Sequence, residues 1–439
     1  MTRRSIRAGF LRFAVAARLL SLVVLLALLL SGCGGGREPG LRTQAASSPS
    51  RFLRDYWARP LAAQGSPPSA YSPLEASLDP RSCGACHVAQ YRDWATSRHA
   101  HAFGPGLLGQ MQALAPTDHA GHQDCLRCHA PLAEQERSLS GALQWWRALP
   151  GSNRVRGVSW RDGLSCAACH VRGNRHFGPP ARPGTGGWRA DPQPHGGWTA
   201  SPAFESSRFC AACHQFPSSI PALNGKELEN TYVEWRSSRY ATEGITCQTC
   251  HMPQRRHLWR GIHDPAMVRS GIAIDADPPR IAAGEVGAML RLVNRRVGHD
   301  FPTYVTPRVI LAIAQVSAGG GAIAGTVQRG VIARDVSLDL QRERFDTRVP
   351  PGGHFTLRYR VPKRPGAAGL RYTIVVEPDH FYARFYRATV DDPSFHHGRA
   401  TLRAALREAE ASRYTLLDFS LSFPASGRRT IRPATARAQ

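Results

Sequence analysis

The sequence has almost no lysine. Of 56 basic residues only Lys226 and Lys363 are lysines, against 32 acidic residues, and the formal net charge is +24. Such a surplus raises nucleic acid as a ligand. The chain lacks a basic helix, an arginine-rich block and an aromatic nucleic-acid motif, and its arginines are spread along its length. Nucleic-acid binding is therefore set aside in favour of compositional bias and compensation for anionic ligands. Apolar content is 42%, enough for a folded protein and too little for a multi-span membrane protein. No cysteine follows Cys250.

The N-terminus reads as a targeting segment. Arg3, Arg4, Arg7 and Arg12 form a positive region, and Leu19–Leu30 is an apolar run short for a spanning helix. It ends in Leu30-Ser31-Gly32-Cys33, which resembles the bacterial lipobox and marks Cys33 for lipidation. The alternative is an uncleaved anchor helix; both readings export the body of the chain and tether it to a membrane. Residues 1–32 are the expected signal peptide and 33–80 a lipidated tether and linker, rich in Gly, Ser and Pro. Gly34 is not aspartate, so the usual inner-membrane retention signal is missing, which favours the outer membrane.

The ten remaining cysteines form five CxxC pairs: Cys83/Cys86, Cys125/Cys128, Cys166/Cys169, Cys210/Cys213 and Cys247/Cys250. Each pair is followed at once by a histidine: His87, His129, His170, His214 and His251. Structural zinc uses four ligands, so five corners leave one over. A thioredoxin-like site needs one CxxC in a βαβ setting. Disulfides suit an exported protein but give no reason for the histidines. C-x-x-C-H is the attachment signature of c-type haem, with two thioethers and a proximal histidine on iron. Five such motifs predict five covalently bound haems c. They recur about every forty residues, a weak internal repeat. The segment 81–265 is poor in aliphatic runs, so the porphyrins are expected to supply its apolar core.

A second repeat lies within this segment. Tyr91-x-x-Trp94-x-x-Ser97-Arg98-His99 follows the first motif, and Tyr232-x-x-Trp235-x-x-Ser238-Arg239-Tyr240 precedes the fifth. On a helix Tyr91 and Trp94 share a face with His87. Eight histidines outside the motifs fall in the region: His99, His101, His119, His122, His176, His195, His257 and His263. They permit a second axial histidine at every iron. Where the second frame ends in Tyr240, an iron with an open face is the alternative.

The stretches CGACHVAQYRDWATSRHAHA, CLRCHAPLAE, CAACHQFP, YVEWRSSRYATEGITCQTCHMP and VGHDFPT cover about residues 80–305. In them the chain resembles the exported multihaem cytochromes c related to the tetrahaem cytochrome of nitrification and to hydroxylamine oxidoreductase. The resemblance implies distal iron ligands at His99 and His299. It also points to His195 and to His257 or His263, and it leaves His119 and His122 as alternatives. The chain departs from enzymatic relatives: ammonia-forming pentahaem nitrite reductases carry a CxxCK motif, and hydroxylamine oxidoreductase has eight haems.

After about residue 266 the pattern changes. Phe355, Leu357, Tyr359 and Val361 alternate with polar residues as in a half-buried strand. Val309–Val316, Ala288–Val293, Val336–Leu340 and Leu370–Glu377 are further strand candidates. The expected fold class is α + β with two domains: a mostly helical and loop pentahaem cytochrome domain (81–265), then an antiparallel β-sandwich-like domain (266–395). Residues 396–439 are expected as a helix, with Leu402, Ala405, Leu406 and Ala409 on one face, and a disordered tail. The functional expectation is a membrane-anchored carrier passing electrons between redox partner proteins through a chain of haems. The alternatives are an oxidoreductase for nitrite- or hydroxylamine-like molecules at one open haem, and a subunit of an outer-membrane electron conduit. No catalytic residue is singled out.

Overall fold

The computed structural model describes residues 49–115, 117–144, 154–183, 193–220 and 222–423. The expected signal peptide, Cys33 and the tail from 426 lie outside the described residues.

Residues 49–271 are built from short helices. In order they are α1 Pro49–Tyr56, α2 Pro73–Ala76, α3 Pro80–Gly84, α4 Val88–Ala95, α5 Pro105–Met111, α6 His119–His129, α7 Ala133–Gln144, α8 Cys166–His170, α9 Ser207–Ala211, α10 Thr231–Arg236, α11 Arg239–Thr242, α12 Cys247–His251 and α13 Pro265–Gly271. Proline opens α2, α3 and α13, each behind a capping side chain (Ser72, Asp79 and Asp264) that accepts a first-turn N–H. Three short strands, β1 Val171–Arg172, β2 Arg175–Gly178 and β3 Thr199–Ala200, make a small sheet. Aliphatic cores here are small; one gathers Phe103, Met111, Leu126, Leu139 and Trp160.

From residue 272 onward strands dominate: β4 Ile272–Ala276, β5 Arg280–Ala282, β6 Glu285–Asn294, β7 Arg308–Val316, β8 Gln328–Ile332, β9 Arg334–Val336, β10 Glu343–Asp346, β11 His354–Pro362, β12 Gly369–Glu377 and β13 Tyr414–Ser422. One sheet has the order β11-β6-β4, with β5 also on β6, and a second the order β13-β12-β7-β8; every pairing in both is antiparallel. Period-two patterning sets the register. Leu357 faces Leu290 across β11 and β6, and Tyr372 faces Ile313 across β12 and β7. The inward residues of both sheets, among them Val286, Leu290, Leu311, Ile313, Tyr359, Tyr372 and Ile374, share one hydrophobic cluster.

Two local expectations need correction. The strand expected over Val336–Leu340 stops at Val336, because Ser337 and Asp339 form a side-chain-bonded turn and Leu340 takes a left-handed φ of 54°. The stretch after β12 is helical: α14 His380–Asp391 is followed by α15 Arg399–Ala411. The chain then returns as β13 beside β12, a strand over residues 414–422 that the sequence reading did not include. In α15 the expected face is buried through Leu402, Ala405 and Ala409, with Leu406 packed against it.

Close approach and buried charge join the two halves, and residues 48–439 cluster as one unit. The α14–α15 hairpin packs on α5, where a Cβ at Gly106 would strike the Tyr386 hydroxyl and one at Gly109 would lie 2.6 Å from a Leu402 methyl. On the other side Arg334 is fully buried. Its Nε reaches Glu343 at 2.8 Å, and its Nη atoms donate to the carbonyls of Leu223, Lys226 and Glu227. Arg348 (side chain 1% exposed) bridges Glu234 of α10 at 2.5 Å to Asp346 at 2.9 Å and Asp300 at 3.4 Å. Buried guanidinium groups of this kind leave costly orphans when cut. Arg334→Met is expected to lower unfolding stability by about 3 kcal/mol, read by denaturant unfolding of the haem-loaded protein. A change below about 1 kcal/mol, the size of an exposed pair, would show that Arg334 does not join the two halves.

Candidate haem sites

Each CxxCH motif is built on a helical turn. In α8, Cys166 and Cys169 are three residues apart on one face and His170 closes the turn. The same arrangement occurs in α12 and at the end of α6. In α3 and α9 the helix supplies only the first cysteine of the first and fourth motifs. The turn is completed beyond the helix end: His87 N–H returns to Cys83 O and His214 N–H to Cys210 O, both at 2.9 Å.

All ten described cysteines are free thiols. The sequence treats them as equivalent attachment points; in the structure they differ in exposure. Cys86 is exposed, and so is Cys250, whereas the other eight are half-buried. Cys86 lies past the last residue of α3, Gly84, and only a loose 3.3 Å bond from its N–H to Cys83 O holds it in the turn. Six of the remaining eight thiols lie against each other in pairs: Cys83 is within hydrogen-bond reach of Cys166, Cys128 of Cys213, and Cys210 of Cys247.

The histidine rings are oriented by main-chain carbonyls. His129 Nδ1 lies 2.6 Å from Ala102 O, His170 Nδ1 2.8 Å from Phe177 O, and His251 Nδ1 2.8 Å from Arg260 O. Among the other histidines, His195, His257 and His299 make the same bond to Gly197 O, Arg255 O and Asp300 O at 2.8–3.0 Å. Holding Nδ1–H on a carbonyl fixes the tautomer and leaves Nε2 as the free lone pair, the arrangement metal-bound histidines adopt. Burial lowers the pKa of His87, His170, His214 and His299, with His251 and His257 at about 4 and His99 at about 3. Their imidazoles are neutral, as coordination requires.

Four motif histidines face a second histidine from elsewhere in the chain. Ring centroids are 6.5 Å apart for His87 and His195, and 6.2 Å for His214 and His99. They are 6.2 Å apart for His170 and His257, and 6.4 Å for His251 and His299. Two imidazoles each about 2 Å from one metal ion through nitrogen place their centroids about 6 Å apart. The four separations thus fit one iron between each pair.

His129 differs. Every histidine is among the described residues, and no second histidine ring faces His129. His119 is exposed at the start of α6. His122 is buried, with no hydrogen-bond partner on Nε2. His263 puts Nε2 3.0 Å from an Asp379 carboxylate oxygen, so of the pair His257/His263 only His257 faces a motif ring. Around the second motif stand oxygen side chains instead. Tyr382 lies within electrostatic reach of Cys125, and Glu229 within reach of Cys128, Tyr304 and Tyr382. Glu229 keeps part of its surface, yet burial, reinforced by Glu234 and Cys128, pushes its carboxyl up to about 7 despite bonds from Thr231.

The Tyr-x-x-Trp frame has a structural role that its spacing did not reveal. The Trp94 indole donates to Leu164 O and the Trp235 indole to Ile245 O, both at 2.9 Å. Each acceptor lies two residues before a motif cysteine, Cys166 and Cys247. Ser97 and Ser238 each donate to the carbonyl of their frame tryptophan at 2.7 Å. Each frame thus clamps the entry to another motif. Tyr240, at the place of His99, donates to Arg295 O at 3.3 Å and packs beside Gly298, bracing the chain next to His299. Sequence reasoning did not single out His176, stacked on His195 with centroids 3.9 Å apart, or Tyr304, Tyr382 and Glu229.

Among curated proteins nothing matches the sequence significantly. Residues 82–171, spanning the first three motifs, match the family model described as cytochrome c554 and c-prime. The fold is similar to the crystal structure of a penta-heme cytochrome c552 from Thermochromatium tepidum, at 19% identity, with a TM-score of 0.55, over 80% of this chain and 100% of that one. Together with the attachment motifs, these matches support a multihaem cytochrome c.

Proposed function

We propose that the protein is an exported electron carrier holding five haems c, tethered to a membrane by lipid at Cys33. Thioether bonds form at the ten motif cysteines, the exposed Cys86 and Cys250 included. The observation that carries the reading is the set of four histidine pairs spaced for one iron each. His87/His195, His214/His99, His170/His257 and His251/His299 are the axial ligands, with two imidazoles leaving no position for a substrate. Bound haem supplies a reversible one-electron iron couple.

The chain's own residues do the rest. The thiol contacts Cys83/Cys166 and Cys210/Cys247 put the first attachment point beside the third and the fourth beside the fifth. Cys169 lies within electrostatic reach of Cys210 and Cys213, joining third to fourth, and Cys128/Cys213 sets the second beside the fourth. The path is therefore a line, 1-3-4-5, with the second centre on a branch. The exposed thiols Cys86 and Cys250 belong to the first and fifth motifs, the two ends of that line, where a redox partner needs access. Arg127 Nε and Arg172 Nη2 are buried donors without a hydrogen-bond partner, as haem propionates require. The two-sheet region serves as a β-sandwich domain that delivers His299, from the loop after β6, to the fifth motif. The remaining positive surface suits an acidic redox partner protein. Among the described residues no helix is long and apolar enough to cross a membrane; lipid at Cys33 is proposed from the Leu30-Ser31-Gly32-Cys33 motif. An outer-membrane electron-conduit complex is compatible with it.

A second reading rests on His129. With no facing histidine, its iron is the one place where a nitrite- or hydroxylamine-like molecule could bind. An EPR spectrum of the oxidised haem-loaded protein is expected to contain four low-spin centres and one high-spin centre, the latter alone shifting with hydroxylamine. Five low-spin centres indifferent to added ligand would remove this second reading and leave the carrier. Axial assignment is checked separately. His299→Met is expected to raise one midpoint potential by on the order of 0.1 V, since methionine ligation favours reduced iron. Five unchanged potentials in a redox titration would show that His299 is not a ligand.

A further inference from the structure

A string of four oxygen side chains runs from beside the second motif into the Arg348 cluster. Glu229 Oε1 lies 2.5 Å from Thr231 Oγ1, which lies 2.7 Å from Thr303 Oγ1, which lies 2.9 Å from Glu234 Oε2. Three oxygen–oxygen contacts at these distances are hydrogen bonds, and each needs one proton. The two threonines bring only two, and no other donor reaches either hydroxyl. The third proton must sit on a carboxyl group.

The surroundings decide which one. Glu234 has Arg348 Nη1 2.5 Å from its other oxygen and accepts the backbone N–H of Asp300 at 3.3 Å, so it is the anionic end. No cation contacts Glu229. The titratable groups facing it are Cys128 from α6, Glu234 from α10, Tyr304 from the loop before β7 and Tyr382 from α14, and the Glu234 carboxylate among them disfavours a second negative charge. The ordered string is Glu229–OH to Thr231 to Thr303 to the Glu234 carboxylate.

We propose that Glu229 is a buried exchangeable proton site beside the second haem motif, connected through Thr231 and Thr303 to Glu234. A concerted shift of three protons along the string leaves Glu229 ionised and Glu234 protonated, with every hydrogen bond reversed and no atom displaced. Arg348 gathers Asp300 and Asp346 around Glu234, with 23% and 18% of their side chains exposed, and so links the far end to solvent. The existence of the site is independent of the small-molecule reading; its use as a proton donor to a molecule held near His129 rests on that reading.

Infrared spectroscopy of the haem-loaded protein tests the site directly. A protonated-carboxyl band that titrates away with a midpoint of about 7 is expected, and Glu229→Gln should abolish it. After transfer to heavy water, Thr303→Val should slow the isotope shift of that band on the order of tenfold or more, the factor matching one ordinary hydrogen bond. Thr303→Ser, which keeps the hydroxyl, should retain the native rate. A band that survives in the Glu229→Gln protein, native-rate exchange with valine at 303, or slow exchange with serine there would each overturn the proposal. None of these depends on whether hydroxylamine perturbs a haem, so this test and that of the small-molecule reading fail separately.

Discussion

The arrangement of the haem region depends on one local constraint: an imidazole held by its Nδ1–H on a main-chain carbonyl, so that its Nε2 points one way. Six histidines are fixed like this: His129, His170 and His251 in the motifs, and His195, His257 and His299, which face His87, His170 and His251. Phe177 O lies on β2, and two of the other acceptors stand in segments with a left-handed residue. His195 itself has a φ of 44°, and Arg255, the acceptor for His257, has a φ of 62°. Non-glycine residues hold such angles at a cost of about 1–3 kcal/mol, offset at His195 by its N–H donating to the Glu75 carboxylate and by the Tyr71 hydroxyl donating to its carbonyl.

The covalent chemistry was legible in the sequence because it is local. Two cysteines and a histidine within five residues need only one helical turn. What the motif could not convey is how much protein surrounds each thiol. Cys86 and Cys169 hold the same motif position, yet one is exposed and the other packs into an apolar cluster. Axial pairing was less legible because each partner comes from a distant segment: His99 crosses to His214, and His195 to His87. Resemblance placed His99, His195 and His299 among the candidates but could not say which motif each one serves. It could not separate His257 from His263 either. That choice depends on Asp379, a residue 116 positions after His263 that holds its Nε2. The strands β6, β7, β11 and β12 were legible from period-two patterning. β13 was missed because its solvent face is polar and its partner strand precedes a helical hairpin.

The arginine surplus also takes on a physical sense. Arg334 and Arg348 are buried at the junction of helices and sheets, where a planar fork can satisfy several carbonyls and carboxylates at once. Lys226 joins the same network through Asp346. Part of the charge that composition assigns to a surface is therefore spent inside. It orients Glu234, whose helix also carries the tryptophan that clamps the fifth motif.

The second motif is where the repeat departs from itself. Histidine facing histidine presents iron with two neutral nitrogen donors and fixes its coordination. Tyr304, Tyr382 and Glu229 instead bring hydroxyl and carboxyl groups, whose charge state depends on the proton they hold. Burial raises the pKa of both phenols, so they stay neutral hydrogen-bond donors through the physiological range. Glu229, held near 7, is the group among them whose charge can change there. A negative charge appearing in a low-dielectric interior stabilises oxidised over reduced iron, and a neutral carboxyl removes that bias. In the proposed path the second centre lies on a branch, which would confine the effect to it.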